Sequence, residues 1–172
     1  SRGVELGKGG KIVYCPECHE YFSFPKKELV CPKCRNLINI ETLETIIHEE
    51  IPLREGKEYQ RFLYNMSRYQ INEIKYIHVN KNGINYKNKN IYEDRIIIRQ
   101  LNQNNLICAT YDSFSFTSQS LYNLKILKSD LEEFNHFYLL GLLNSNLLSY
   151  YYNKSFGSYK KLFPRILIEK IR

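Results

Sequence analysis

The sequence predicts an α+β fold in which a small four-cysteine zinc ribbon is inserted near the N-terminus of a mixed or antiparallel β-sheet domain that ends in a pair of helices. Four cysteines form two closely spaced pairs within residues 15–34. Residues 95–127 contain short β-branched and apolar runs separated by polar turns, a pattern typical of strands. After residue 129 the apolar residues recur at helical spacing instead. A chain of 172 residues is long enough to bury a core around such a sheet.

The cysteine pairs predict a structural metal site. Cys15 with Cys18 and Cys31 with Cys34 are two Cys-Pro-x-Cys pairs separated by twelve residues, which is the ligand spacing of a four-thiolate zinc site. Two disulfides or four reduced cysteines are the alternatives, and short-spaced pairs in a chain of intracellular character favour zinc over both. Four thiolates leave zinc no open position, so the site is structural. The metal would supply on the order of 10 kcal/mol to the folding of the ribbon.

The segment after the ribbon is first acidic and then aromatic and basic. Residues 41–50 are expected to be helical or mixed. Residues 59–79 combine tyrosine, phenylalanine, arginine and lysine, and close on a strand at 75–79. Asn and Gly residues over 80–90 predict a turn.

Two strands are predicted at the centre of the chain, at 95–100 and 106–111, with a hairpin turn at 102–105. Residues 117–121 and 122–127 are expected to continue the sheet. The fifth cysteine, Cys108, lies in an apolar run, which predicts a buried side chain rather than a reactive thiol.

The C-terminal part is predicted to hold two helices. Ser129 followed three residues later by Glu132 is a capping-box pattern, which predicts a helix from there through residue 143. Ser145 then caps a second predicted helix over 146–153. A basic stretch follows it.

The net charge of +7 is unevenly distributed along the chain. Residues 41–60 carry six acidic and two basic side chains, residues 61–100 carry eight basic and three acidic ones, and the last 22 residues carry six basic and one acidic. Two separate basic blocks indicate a face that meets a polyanion. A solvated surface in a chain rich in Lys, Asn, Ile and Tyr explains the same charges equally well.

Several function and location classes are excluded by what the sequence lacks. It has no Gly-rich phosphate loop, no dinucleotide fingerprint and no nucleophile elbow, and its four histidines are scattered. We therefore expect no catalytic residues and no enzymatic activity in this chain. No apolar run is long enough to cross a membrane, and paired cysteines suit a reducing compartment, so we expect a cytoplasmic protein without a membrane partner.

The order and spacing of several blocks match a known family. The blocks are IYEDRIIIRQ at 91–100, ICATYD at 107–112, TSQSLYN at 117–123, YLLGLLNS at 138–145, FGS at 156–158 and KLFPRI at 161–166, with RGVELG at 2–7 and the weaker LREGK at 53–57. In this order they resemble the TaqI-like C-terminal specificity domain, which is the target-recognition domain of type II and IIG adenine-N6 DNA methyltransferases and restriction-modification enzymes. Residues 59–90 match poorly, as expected of a variable surface that reads the DNA sequence.

The resemblance implies a division of labour within a longer polypeptide. An upstream catalytic domain would bind S-adenosylmethionine and methylate adenine, and some parents would also cleave DNA. The chain itself would choose a site on double-stranded DNA. Its expected parts are a linker from the upstream domain at 1–10, the zinc ribbon at 11–40, the β-rich target-recognition core at 41–128, and the helical pair with a basic closing segment at 129–172. Its N-terminal and C-terminal ends are expected to be those of an excised domain.

Sequence readout requires amide and guanidinium side chains at base edges, and basic or hydroxyl side chains at phosphates. A strand ends at Arg99 and Gln100, so we expect both side chains to project into a groove of the DNA. The alternative for Arg99 is a solvent-facing strand end. Gln119 offers an amide for adenine, and the alternative for it is a hydrogen bond within a turn. The predicted DNA contacts are Arg61, Arg68, Arg99, Gln100, Ser118, Gln119, Lys154, Ser158, Lys160, Lys161 and Arg165.

Two functions from different classes therefore remain at this point. The first is a DNA target-recognition module of a modification enzyme. The second is a zinc-ribbon module that binds RNA or a protein partner and uses its basic blocks nonspecifically. Preference for one short duplex over scrambled duplexes at matched salt separates them, whereas salt dependence alone does not.

Overall fold

The computed structural model describes residues 1–7, 10–25, 29–51, 56–101, 104–126, 135–156 and 166. Within these ranges ten strands form three small sheets, and two helices follow them near the C-terminal end. All pairings between these strands are antiparallel except one. The predicted α+β class, with largely antiparallel sheets and two C-terminal helices, is confirmed.

The first sheet belongs to the cysteine-rich segment. Strands β1 (Lys11–Cys15), β2 (Glu20–Ser23) and β3 (Leu43–Thr45) pair in the order β2-β1-β3. Successive side chains of a strand point to opposite faces, and Ile12 accordingly packs in the main core whereas Val13 packs with the cysteines. Strand β1 thus joins the ribbon to the rest of the protein.

The second sheet is built around a long hairpin. Strands β5 (Tyr59–Ser67) and β6 (Gln70–His78) pair over their whole length, with β4 (Ile47–His48) added beside β6 and the parallel β9 (Phe116–Thr117) beside β5. Sequence analysis predicted only one strand here, at 75–79. The hairpin was missed because neither of its strands alternates strictly between apolar and polar residues.

Residues 41–50, predicted to be helical or mixed, are mixed, with one helical turn followed by two short strands. A 3-10 helix spans Ile40–Thr42, and β3 and β4 then follow. Ile46 between the two strands is fully buried, and its carbonyl oxygen accepts a hydrogen bond of 2.9 Å from the His78 N–H. Tertiary pairing with β1 and β6 therefore decides the conformation of this segment.

The third sheet consists of β7 (Glu93–Arg99), β8 (Ala109–Phe114) and β10 (Leu121–Leu124), in the order β10-β7-β8. The predicted strand at 95–100 is confirmed. The strand predicted at 106–111 begins three residues later, because the Ile107 N–H donates to the Ser149 hydroxyl at 3.1 Å instead of to a strand. Instead of running on from residue 117, the chain turns at Ser118–Ser120 between β9 and β10. Cys108 is fully buried, as predicted.

Helix α1 (His136–Leu143) begins later than predicted. Asn135 has extended backbone angles, and its side chain accepts the Tyr138 N–H at 2.8 Å, so Asn135 is the N-cap. The predicted start at Ser129 is therefore wrong for this helix, and Ser129 and Glu132 lie outside the described residues.

Helix α2 (Asn146–Phe156) follows immediately and is capped as predicted. The Ser145 hydroxyl accepts the Leu148 N–H at 3.0 Å. Asn144, between the helices, hydrogen-bonds with its side-chain amide to both the N–H and the carbonyl of Ala109, each at 2.9 Å. This pair of bonds fixes the helices against β8. Over the described part of the chain, neither helix has the length and apolar character needed to cross a membrane.

A buried arginine joins the strands at the centre of the protein. Arg95 on β7 is fully buried, and its Nη1 lies 2.7 Å from Asp112 Oδ2 on β8. Its Nε donates to Asn123 Oδ1 on β10 at 2.8 Å, Nη1 also donates to the Tyr92 carbonyl, and Nη2 donates to the Ser115 carbonyl. One side chain therefore connects β7, β8, β10 and the turn before β9.

Candidate nucleic-acid interface and cysteine cluster

The four paired cysteines lie together, as their spacing predicts. Cys15 Sγ is 3.7 Å from Cys34 Sγ, Cys18 Sγ is 3.8 Å from Cys31 Sγ, and all four sulfurs lie within 4.8 Å of one another. All cysteines of the chain are free thiols, so the disulfide alternative is not the arrangement found. The cluster packs against Val13 and Ile38.

Both cysteine turns have the same local backbone. The residue after each pair adopts a left-handed conformation, with φ of 54° at His19 and 66° at Arg35. The Arg35 N–H donates to the Cys31 carbonyl at 3.0 Å, which closes the second turn. The Lys33 N–H points at Cys31 Sγ, 3.4 Å away. Such N–H groups stabilise a thiolate, as a metal ligand requires.

Hydrogen bonds and burial shift the pKa values of the clustered thiols in opposite directions. Backbone N–H groups of Cys34 and Lys33 lower the pKa of Cys31 to about 6. The hydrogen bond with Cys34, together with burial, raises the pKa of Cys18 to about 12. Four thiolates at these distances repel one another unless a cation lies between them. A tetrahedral ion with metal–sulfur bonds of about 2.3 Å requires sulfur atoms roughly 3.8 Å apart, which the two measured distances match.

A loop of the main domain holds the ribbon in place. The Tyr21 N–H on β2 donates to the Asn82 carbonyl at 3.1 Å, and Gly83 follows at φ +81° against the same strand. Lys81 Nζ lies 3.1 Å from Glu44 Oε2 and 4.6 Å above the Tyr21 ring. The predicted turn at 80–90 therefore also connects the ribbon to the core through these contacts.

Three of the predicted DNA contacts meet in one polar pocket. Arg99 and Gln100 at the end of β7 and Ser118 after β9 line a depression of about 160 Å³. Strand β5 supplies the opposite wall through Tyr64 and Asn65. The remaining lining residues are Met66, Leu101, Ser120 and Leu121.

Hydrogen bonds fix the walls of this polar pocket. Arg99 Nη1 donates to the Met66 carbonyl at 3.1 Å, which ties β7 to β5. The Gln100 side-chain amide donates to the Gln119 carbonyl at 2.6 Å, and the Gln100 N–H donates to the Ser120 carbonyl at 3.2 Å. The end of β7 and the turn before β10 therefore form one rigid unit.

The other predicted contacts lie elsewhere. Gln119 lines a different cleft with Glu5 and Ser23, and its amide donates to the Leu6 carbonyl at 3.2 Å. Arg61 is exposed on β5 outside the polar pocket.

Arg68, in the β5–β6 turn, is half-buried. Its Nη1 is 3.5 Å from Asn146 Oδ1, and its buried Nε has no partner among the described residues.

The basic C-terminal stretch is described only at its start. Lys154, in the last turn of α2, is exposed, and its ammonium group lies 5.7 Å from the centre of the Tyr150 ring. The predicted contacts Ser158, Lys160, Lys161 and Arg165 lie outside the described residues.

Sequence reasoning did not single out Asn65, which lines the polar pocket. In the sequence, the apolar pair Phe62 and Leu63 is followed by Tyr64 and Asn65, and in the structure the first two are buried and the next two are exposed. A strand that breaks its two-residue period in this way contains a bulge.

Comparisons with known proteins match this chain to one family and one archaeal relative. The family model described as TaqI-like C-terminal specificity domain matches residues 55–172, which are 118 of the 172 residues. A protein from Methanocaldococcus jannaschii, whose name assigns it as a type II restriction enzyme and methyltransferase, is 29% identical over 181 aligned positions. That alignment covers 94% of this chain but only 15% of the length of the relative. No solved structure gives a significant match.

Proposed function

The chain belongs to the TaqI-like C-terminal specificity domain family, and on that premise we propose that it is the DNA target-recognition domain of a type II or IIG restriction-modification enzyme that methylates adenine. The observation that carries the proposal is the family match over residues 55–172, which includes all nine residues that line the polar pocket. The name of the archaeal relative supports the same system.

The polar pocket offers the chemistry that reading a duplex requires. Guanidinium and amide groups discriminate base edges, and hydroxyl groups bind phosphates. Arg99 and Gln100 follow Ile96, Ile97 and Ile98, all three fully or almost fully buried, so they project from an immobile strand. A rigid mount favours specificity, because little conformational entropy is lost on binding.

Exposed basic side chains outside the polar pocket would contact phosphates. Arg61 and Lys154 are exposed and lack a carboxylate partner among the described residues. In this proposal they contact phosphates together with Arg68 and the basic residues of 158–165, and these contacts position the domain on the duplex without regard to its sequence.

We further propose that the cysteine cluster binds one structural zinc ion. Cys15, Cys18, Cys31 and Cys34 would be its four ligands, and their sulfur separations support a closed tetrahedral site. The ion would stabilise the ribbon, which the 80–90 loop connects to the recognition core, and it would take no part in catalysis.

The lengths of the two proteins support the proposed division of labour. The chain spans 15% of its archaeal relative, which leaves room there for other domains. S-adenosylmethionine binding and adenine methylation belong, in this proposal, to an upstream domain of the parent polypeptide. We keep the division into linker 1–10, ribbon 11–40, recognition core 41–128 and closing segment 129–172 as part of the proposal.

Selection from a random duplex pool tests the proposal. The 172-residue chain is incubated with duplexes carrying a randomised central segment at one fixed salt concentration, and bound duplexes are amplified and sequenced. A target-recognition domain enriches one short consensus, because each mismatch costs roughly 1–3 kcal/mol. Enrichment of no consensus, with equal retention of single-stranded RNA of the same length, would support a nonspecific basic module instead.

A further inference from the structure

Among the side chains of the polar pocket, Asn65 has an amide group whose hydrogen-bonding capacity is unused within the described part of the chain. Asn65 lines the polar pocket and is exposed, and none of the described residues hydrogen-bonds to its amide group. Its neighbours are already engaged: Arg99 donates to the Met66 carbonyl, and Gln100 donates to the Gln119 carbonyl. A free amide offers one donor edge and one acceptor edge side by side.

A local irregularity of the sheet places Asn65 there. Leu63 pairs with Ile74 and Asn65 with Glu73, so Tyr64 between them has no partner on β6. Tyr64 and Asn65 are consequently both exposed, which a regular strand does not allow for neighbours on a half-buried sheet. Bulges re-aim side chains and are common beside functional sites.

The surroundings hold the bulge in a fixed position. Met66, the next residue, is almost fully buried, and its carbonyl receives the Arg99 hydrogen bond of 3.1 Å. On the other side of the bulge, Phe62 and Leu63 pair with the parallel strand β9. Asn65 is therefore presented by an anchored backbone rather than by a loop.

We propose that Asn65 reads one adenine of the target site from the major groove. Its carbonyl oxygen accepts from the adenine N6 amino group, and its amide nitrogen donates to N7, a bidentate pairing that no other base edge in the major groove satisfies. Arg99 acts as a positioning residue that holds the bulge through Met66. The inference rests on the proposed function, because it presupposes that the chain binds a duplex in a sequence-dependent way.

The test compares variants in the random-pool selection. Asn65→Ala removes both hydrogen-bonding edges, whereas Asn65→Asp keeps the shape of the side chain but replaces the donor with a second acceptor. Asn36→Ala is the matched control, since Asn36 is exposed, lies outside residues 59–90 and does not line the polar pocket. Thermal unfolding of each variant confirms that it is folded, and the isosteric Asp variant carries the test if the Ala variant is unstable.

We expect both Asn65 variants to lose discrimination for adenine at one position of the consensus by about tenfold or more, with every other position retained. The control variant keeps the whole consensus. If Asn65→Ala and Asn65→Asp keep the adenine, or weaken binding equally for all sequences as loss of a phosphate contact does, the inference is overturned and the proposed function stands. If the unaltered chain selects no consensus, the proposed function fails, and this inference fails with it.

Discussion

Removing the carboxylate of Asp112 tests the buried network that connects the strands. Asp112 is 4% exposed and Arg95 is 0% exposed, with 2.7 Å between Oδ2 and Nη1. The Arg95 guanidinium stays charged, so Asp112→Ala leaves a fully buried cation without its counter-ion. Breaking a buried pair on one side costs about 3–5 kcal/mol. For a domain of this size the expected fall in Tm is about 6–20 °C.

Calorimetry or urea unfolding of Asp112→Ala measures this loss, and Glu93→Ala, on the strand that carries Arg95, is the control. Glu93 and Lys125 form an exposed pair at 3.6 Å, so the control should change the free energy of unfolding by less than about 1 kcal/mol. Replacing Arg95 and Asp112 together, by Met and Leu, should destabilise by less than the sum of the two single changes. Equal stability of Asp112→Ala and Glu93→Ala would refute the assignment of Arg95 as the central connection.

Three further predictions concern the cysteine cluster, two glycines and one exposed lysine. Atomic absorption should find about one zinc per chain, lost in Cys34→Ser and kept in Cys108→Ser; equal metal content in both variants would contradict the proposed site. Gly83→Ala should lower the free energy of unfolding, because a Cβ at φ +81° would lie 2.0 Å from a carbonyl oxygen of β2. Gly141→Ala, with nothing within 4 Å of its Cβ, should raise the free energy of unfolding by roughly 0.5–1 kcal/mol. A shift of the same sign in both variants would contradict this reasoning. Lys154→Ala should weaken binding to every duplex alike and reduce the dependence of log K on log salt by about one, and a change in base preference would exclude a phosphate contact.

Local signals in the sequence predicted a large part of this architecture. The Cys15–Cys18 and Cys31–Cys34 spacings predicted a cluster whose sulfurs lie within 4.8 Å. The isoleucines of β7 predicted a buried strand, and Ser145 predicted a helix cap. These signals are reliable because each depends on residues close together in the chain.

The features that sequence reasoning missed depend on distant contacts. The β5–β6 hairpin contains a bulge at Tyr64, which hides the two-residue period. Arg95 lies in a strand-like run, but nothing in the run shows that Asp112 and Asn123 come from other strands to bury it. The start of α1 was misplaced because Asn135 caps it close by.

Three side chains of the polar pocket were singled out from the sequence, whereas the pocket itself was not predicted. Arg99, Gln100 and Ser118 were singled out by residue chemistry and position at strand ends, and they do lie together. Asn65 was not singled out, because it is distant in sequence and reaches the polar pocket only through the bulge. Gln119, next to Ser118, lines another cleft because the turn directs it there.

The most direct test of the account is the ratio of two dissociation constants at one salt concentration. The 172-residue chain is titrated with the duplex that it enriches most from the random pool, and with a duplex of the same length and composition in shuffled order. A target-recognition domain should bind the enriched duplex at least roughly a thousandfold more tightly. Equal affinity for the two duplexes would contradict the account, because it would leave only the attraction of a basic surface for phosphates.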